Sequence, residues 1–511
     1  MNNMRIKFKY IRLYLCLMVF SVLGLSCGTS KETPENPNGQ NTFTPGKGID
    51  LYGRITDDKG IGITDVVVSD GYKCVLTDKN GWYSMKKNKN ALFVNYSIPS
   101  GYKANPRSFY QTINKRKKQY DFKTTKLADN ESHFNLLVMA DPQVKSVKDV
   151  ARFRTETMPD IKKSVDESKL PIYGLCLGDI VDEGKQELTY SMEVLLQSTS
   201  MPFFVAIGNH DKETGKTGKD ITKTYCKHFG PLNYSFNRGD VHFICLDNII
   251  YKSTEDYTGG ITDEQLAWMK DDLKYVDNEK LVVVYYHIPW RQSDNEPNRN
   301  EMMGLLKSYK NVLLLAGHAH YQENFHGSKP YKFAERIHGA ACGAWWHSNI
   351  CAEGTPNGYQ MYEIDGNKVI NNYYKSTNYD KNFQIRLHHG NGSWGGSHGM
   401  YGYGLGADYI IANIWNYDKG WKVQVYEDDV YSGDMLLAFP AYFKPDAWSQ
   451  AYHIGVVGRN PKNYSQKITH DFVYKPKNPG ANIKVVAIDK YGNRYEQTEF
   501  VTDLESAHIY K

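Results

Sequence analysis

Five short polar stretches carry side chains able to hold metal ions. They are Asp141-Pro142-Gln143, Gly178-Asp179-Ile180-Val181-Asp182, Gly208-Asn209-His210-Asp211, His287, and Gly317-His318-Ala319-His320. Two divalent cations held side by side need a carboxylate between them and nitrogen and oxygen ligands closing each flank. Asp141, Asp179, Asn209, His287, His318 and His320 supply such a set. Imidazole ligands combined with phosphate chemistry suit zinc, iron or manganese better than magnesium. Asn209 and His210 can each ligate a metal or contact a phosphate, and Asp211 can orient the His210 ring through a hydrogen bond. One such loop would be unremarkable; five in order make a constellation.

The elements that must position these residues can be read from the runs before them. Apolar stretches at 134–140, 172–177, 203–207, 281–286 and 312–316 each end at one of the five polar loops. Short runs of this kind predict buried strands, and the carboxyl ends of such strands are where open α/β sheets place their sites. Between them, residues 147–168 and 263–275 predict helices, the second with Leu266, Met269 and Leu273 at helical spacing. Strand–helix alternation predicts an α/β layer.

Taken together, Asp141-x-Gln143, Gly178-Asp179-x-x-Asp182, Gly208-Asn209-His210-Asp211, His287 and Gly317-His318-x-His320 resemble the calcineurin-like metallophosphoesterase superfamily over residues 133–352. The resemblance implies a four-layer α-β-β-α catalytic domain with two divalent metal ions (manganese, zinc or iron). One ion would be held by Asp141, Gln143, Asp179 and His320. The other would be held by Asp179 as the bridge with Asn209, His287 and His318. His210 would contact the phosphate and assist the leaving group. Superfamily members usually carry Asp-x-His in the first loop, so Gln143 is a departure. A neutral amide oxygen preserves the charge of the site but is a weaker donor, which predicts a looser first metal, unless Gln143 acts through a water. The implied chemistry is in-line attack on phosphorus by a hydroxide bridging the metals. No nucleophile elbow or P-loop competes with it.

Flanking segments change character. Residues 49–126 alternate in strand fashion with turns at Asp57-Asp58-Lys59-Gly60 and Asp78-Lys79-Asn80-Gly81, which predicts a small β-sandwich. The part from Gly53 to Tyr83 resembles the carboxypeptidase-regulatory-like fold. Residues 355–511 predict a C-terminal β-rich domain that opens with the alternating stretch 359–364. Both flanks resemble the accessory domains of bacterial secreted members of the superfamily. Residues 1–26, with Arg5, Lys7, Lys9 and Arg12 before a short apolar run, predict an export signal. Cys27 after Leu25-Ser26 resembles a lipobox, despite Gly24 where leucine is usual, and residues 27–48 predict a flexible linker. An exported, lipid-anchored protein of the cell envelope, periplasmic or outer-membrane-associated, is expected.

The formal net charge of +5 is partly the basic leader and leaves no nucleic-acid footprint. No interior run approaches the length of a membrane span, so membrane contact is expected only through Cys27. The eight cysteines have no C-x-x-C spacing, and Cys342 and Cys351 are close enough in sequence to pair. Trp345 and Trp346 follow the last metal loop, and either capping a substrate or packing the domains together would account for them. The expected substrate is a small-molecule, glycan or lipid phosphate ester, a phosphodiester or a bulky phosphomonoester. The alternative is a weakly catalytic or inactive protein that binds a phosphorylated ligand.

Overall fold

The five apolar runs become neighbouring strands in two stacked sheets. The computed structural model describes residues 43–253, 256–292, 296–327, 332–390, 405–438, 446–460, 468–504 and 507. The expected export signal, the lipobox and most of the linker therefore lie outside the described residues. In the first sheet Phe203–Val205, Ile172–Cys176 and His133–Met139 run parallel in that order, with Leu137 beside Gly174 and Gly174 beside Phe203. In the second, Val241–Cys245, Leu281–Tyr285, Asn311–Ala316 and Ala334–Ile337 run parallel between the antiparallel edges Tyr234–Arg238 and Glu323–His326.

Strand side chains alternate between two faces, and here both faces are apolar because both are covered. Leu136, Val138 and Leu175 meet Phe243, Val283, Tyr285 and Leu315 between the sheets. Leu137, Met139 and Val205 point outward onto Met158 and Ile161 of Met158–Glu167 and Leu195 of Thr189–Gln197. Val282, Val284 and Leu314 point outward from the other sheet onto Trp268 and Met269 of Asp263–Leu273 and Met302 and Met303 of Arg299–Leu306. The result is the four-layer α-β-β-α sandwich. Among the described residues no helix is long and apolar enough to cross a membrane.

One expectation needs correction. The stretch 359–364 does not open the C-terminal domain. It lies in Gly358–Asp365, which pairs antiparallel with His133–Met139, and Lys368–Ser376 extends the same sheet. An alternating strand looks the same whichever sheet receives it, and its partner lies more than 200 residues upstream. Cys342 and Cys351 are separate buried thiols. The Cys342 thiol donates to the Pro142 carbonyl at 2.9 Å, and burial pushes its pKa up to about 12.

The N-terminal region forms a three-stranded and a four-stranded sheet. It is tied to the catalytic layers by the Trp268 indole N–H on Ser69 Oγ (3.0 Å) and by a bridge between Ile98 and Phe236. Past Ser376, two four-stranded sheets enclose Leu387, Ile410, Val425, Phe472 and Val485. Lys422–Glu427 and Ile483–Ile488 pair with each other there. The glycine-rich stretch 390–406 falls almost entirely outside the described residues.

Asp418 locks this last region onto the catalytic sheet. Its buried carboxylate takes a bidentate pair from Arg336 (2.8 and 3.2 Å), a bond from Lys490 Nζ (3.1 Å) and one from His326. Burial alone would raise its pKa, but His326, Arg336 and Lys490 outweigh that and hold it well below the usual carboxylate range. Removing one partner of a buried ion pair costs about 3–5 kcal/mol, and Asp418→Ala is expected to lose about that much in denaturant unfolding at pH 7. A depressed folded pKa means the stabilisation is present above about pH 4 and disappears as pH falls toward the folded value. The gap between parent and variant should therefore narrow in acid.

Candidate metal centre

Parallel strands bring all five polar loops to one edge of the sandwich, and the turns there are tight. Asp141, Gln143, Asp179, His318 and His320 have φ of 51°, 39°, 49°, 67° and 56°. Left-handed backbone at non-glycine residues costs about 1–3 kcal/mol each and persists where the surroundings over-determine it. Here neighbouring loops hold one another: Gln143 N–H donates to the Asp179 carbonyl (2.7 Å), and Asp141 N–H to the Gly178 carbonyl (3.2 Å). Gly208 is required by close approach, because a Cβ there would lie 2.0 Å from the Asp179 nitrogen.

The side chains converge as two donor sets that share one carboxylate. Asp141, Asp179 and His320 form one, and Asp179, His287 and His318 the other, with ligand atoms inside each set within 4.8 Å of one another. His320 Nε2 is 3.2 Å from Asp141 Oδ1, and His287 Nε2 is 3.2 Å from Asp179 Oδ2. Asn209 Oδ1 lies 3.0 Å from His287 Nε2 and 2.9 Å from His318 Nδ1. Ligands bonded to one cation at about 2.0–2.2 Å stand roughly 3 Å apart when adjacent, so these spacings fit divalent metals.

Gln143 is fully buried. Its amide nitrogen donates to Asp182 Oδ1 at 2.9 Å, while its buried oxygen Oε1 has no hydrogen-bond partner. An orphaned buried acceptor beside Asp141 and Asp179 is what a direct ligand looks like before its cation is counted. Replacing this amide with imidazole, Gln143→His, is expected to tighten the weaker metal by roughly tenfold or more. Chelator competition measures this, and unchanged affinity would mean that Gln143 does not touch the metal.

Electrostatics point the same way. Burial alone would depress the His287 imidazole, but the charges of Asp179 and Asp141 raise it to about 9, so a cation bound at Nε2 would take the place of a proton held there by the same carboxylates. Its Nδ1 sits 2.8 Å from the Leu177 carbonyl, which assigns the proton to Nδ1 and presents Nε2 to a cation. His318 is pushed down to about 3 by burial and by the neighbouring His287 charge, which leaves a neutral ring ready to ligate. Asn248, which the sequence reading passed over, accepts from the His287 and Ile288 amides (3.1 and 3.0 Å) and fixes that loop. An asparagine three residues beyond a cysteine carries no local signal of such a task.

The role expected for Asp211 needs correction. Its carboxylate accepts the backbone N–H groups of Ile180 (2.8 Å), Val181 (3.1 Å) and Gly208 (2.8 Å), so it braces two loops and does not orient His210. The ring of His210 is served by Asp182, whose Oδ1 lies 3.1 Å from Nδ1. Asp182 therefore links the Gln143 amide to His210. The two tryptophans divide the alternatives between them. Trp346 packs against His453 and donates to the His320 carbonyl (2.9 Å), whereas the half-buried Trp345 stands beside His210.

A four-layer sandwich whose carboxyl edge carries two donor sets joined by one carboxylate is the metallophosphoesterase architecture. The chain belongs to the calcineurin-like phosphoesterase family. Residues 134–322 match the family's model, residues 49–127 its N-terminal model, and residues 335–495 its C-terminal model. It is similar to purple acid phosphatase 23 of Arabidopsis thaliana, 33% identical over 144 residues, or 25% of this chain and 30% of that protein. It is similar also to the probable glycerophosphodiester phosphodiesterase GpdQ of Arcobacter nitrofigilis, 26% identical over 151 residues, or 28% of this chain and 54% of that protein. A dimetal phosphatase structure from Danio rerio is 14% identical and covers 48% of this chain and 96% of that one at a TM-score of 0.35. The chain thus covers less than two thirds of the length of either curated relative.

Proposed function

We propose that this chain is an exported, lipid-anchored, metal-dependent phosphoesterase acting on a phosphodiester or a bulky phosphomonoester. The observation that carries the reading is Asp179, shared between two donor sets, with His210 hydrogen-bonded beside them. Similarity to a probable phosphodiesterase supports the diester, and the basic and apolar leader ending at Cys27 supports export. Two bound cations would supply Lewis acidity at the phosphoryl oxygens and a more acidic water. They would be held by Asp141, Gln143, Asp179 and His320, and by Asp179, Asn209, His287 and His318.

The chain's own residues do the rest. Asp179 Oδ1 accepts the His210 backbone N–H at 2.8 Å and so places that residue against the shared carboxylate. Burial works against a charged His210, but Asp179 and Asp182 raise its pKa above the ordinary value, which keeps a proton available for the departing oxygen. Asp182 Oδ1 lies at ion-pair distance from Nδ1, 3.1 Å away, which leaves the other ring nitrogen for that transfer.

The test is hydrolysis of bis(p-nitrophenyl) phosphate and p-nitrophenyl phosphate by protein lacking residues 1–27. Rates are compared after chelation and after adding back manganese, zinc or iron. Metal-restored turnover with the diester preferred supports the reading, and turnover restored on neither ester by any metal counts against it. Labelling of the whole chain with a palmitate analogue, lost on Cys27→Ala, tests the anchor.

A further inference from the structure

Trp345 packs on one side against Ala340, Trp346, Cys351 and Ala352, yet it stays half-buried beside the metal centre. Its ring centroid lies 5.7 Å from that of His210 and 5.1 Å from that of His320, perpendicular to the latter. Two cationic side chains from distant parts of the chain meet it. Lys145, two residues beyond Gln143, holds its ammonium 5.4 Å from the ring centroid, and among the described residues no carboxylate lies within 4.0 Å of that ammonium. Arg459, following Tyr452–Val456 in the C-terminal region, donates from Nη2 to the Trp345 carbonyl at 2.5 Å. Both are half-buried, and the exposed His347 adds a third nitrogen base two residues along.

Among the described residues, Asp182 and Asp149 are the acids that act on the Lys145 ammonium, and neither forms a direct ion pair with it. Asp182 is taken by Gln143 and His210, and Asp149 Oδ2 accepts from Ser146 Oγ (2.7 Å) and the Lys145 amide (3.3 Å). What remains is a flat aromatic face edged with positive charge, next to the group that serves the departing oxygen. A cation over an aromatic face and a guanidinium at its backbone are well suited to hold an acidic group on a planar or extended body.

We propose that Lys145 and Arg459, set around Trp345, form an anion subsite for the leaving-group half of the substrate, whose alcohol carries a second acidic group, a phosphate or a carboxylate. This rests on the phosphoesterase reading for its orientation and adds the substrate class. It also gives the C-terminal region a part in choosing the substrate, through Arg459.

The test uses three probes on the metal-loaded protein lacking residues 1–27: 4-carboxybenzylphosphonate, 4-phosphonobenzylphosphonate and the neutral 4-carbamoylbenzylphosphonate, with binding measured calorimetrically. One favourable charge pair in a partly desolvated site is worth about tenfold in affinity. At least one acid-bearing probe should bind about tenfold more tightly than the amide, and the stronger of the two identifies the acid. Lys145→Met and Arg459→Met should each shrink that preference to within about threefold, while Lys145→Arg should keep it. Metal content and melting temperature confirm that each variant is folded. A preference that is absent in the parent, or that survives both methionine substitutions, overturns the proposal, as does failure of all three probes to bind at millimolar concentration. If the preference behaves as expected but no ester is hydrolysed, the subsite stands and the phosphoesterase reading falls.

Discussion

Asp179→Asn is expected to strip the protein of its metals. The carboxylate belongs to both donor sets, accepts the His210 amide at 2.8 Å and lies 3.2 Å from His287 Nε2. Burial disfavours the charged form, yet His287 and His210 lower its pKa, so a buried anion stands where two cations would share it. Asparagine keeps the shape and removes the charge. Leaving a buried charge uncompensated costs about 3–5 kcal/mol, which corresponds to a weakening of roughly 10²–10⁴ in metal affinity. Metal per chain after gel filtration, by mass spectrometry, should fall from two toward none, and turnover should fall with it. Two metals retained in the variant would remove Asp179 as the bridge.

His210→Ala should separate chemistry from metal binding. His210 is in neither donor set, so metal content should stay at two per chain while the rate drops roughly 10²–10⁴-fold, the usual share of a positioned general acid. A parallel fall in metal content would make His210 a ligand instead. Asp182→Asn gives a finer test. Asp182 is among the groups that raise the His210 pKa, so its loss lowers that pKa. The alkaline limb of the rate profile, where His210 loses its proton, should then move to lower pH. A purely structural role for Asp182 would lower the rate without moving that limb.

The candidate metal ligands were legible in the sequence because their signals are local. Asp141, Asp179, Asn209, His287 and His318-x-His320 each follow directly on an apolar run, and strands of one layer are parallel only if their carboxyl ends share an edge. Strand–helix alternation predicted an α/β layer, whereas the four-layer order was what the resemblance implied. Gln143 was visible as a departure, but its use was not, and only the buried, unpartnered Oε1 beside the Asp182 bond favours direct ligation.

What the tertiary structure decided are the choices that depend on which loops meet. Asp211 is adjacent to His210, yet its oxygens are consumed by the amides of residues 180, 181 and 208, so the orienting carboxylate comes from another loop through Asp182. Trp345 and Trp346 are consecutive, and the path of the backbone sends one beside His210 and the other into packing against His453. Gly358–Asp365 joined the catalytic sheet because the edge of His133–Met139 was open to it, not because its own pattern differs from that of the strands further on. Local spacing specifies a residue's chemistry and the end of its strand. Its partners are set by long-range pairing, where hydrogen bonds and burial are satisfied between segments hundreds of residues apart.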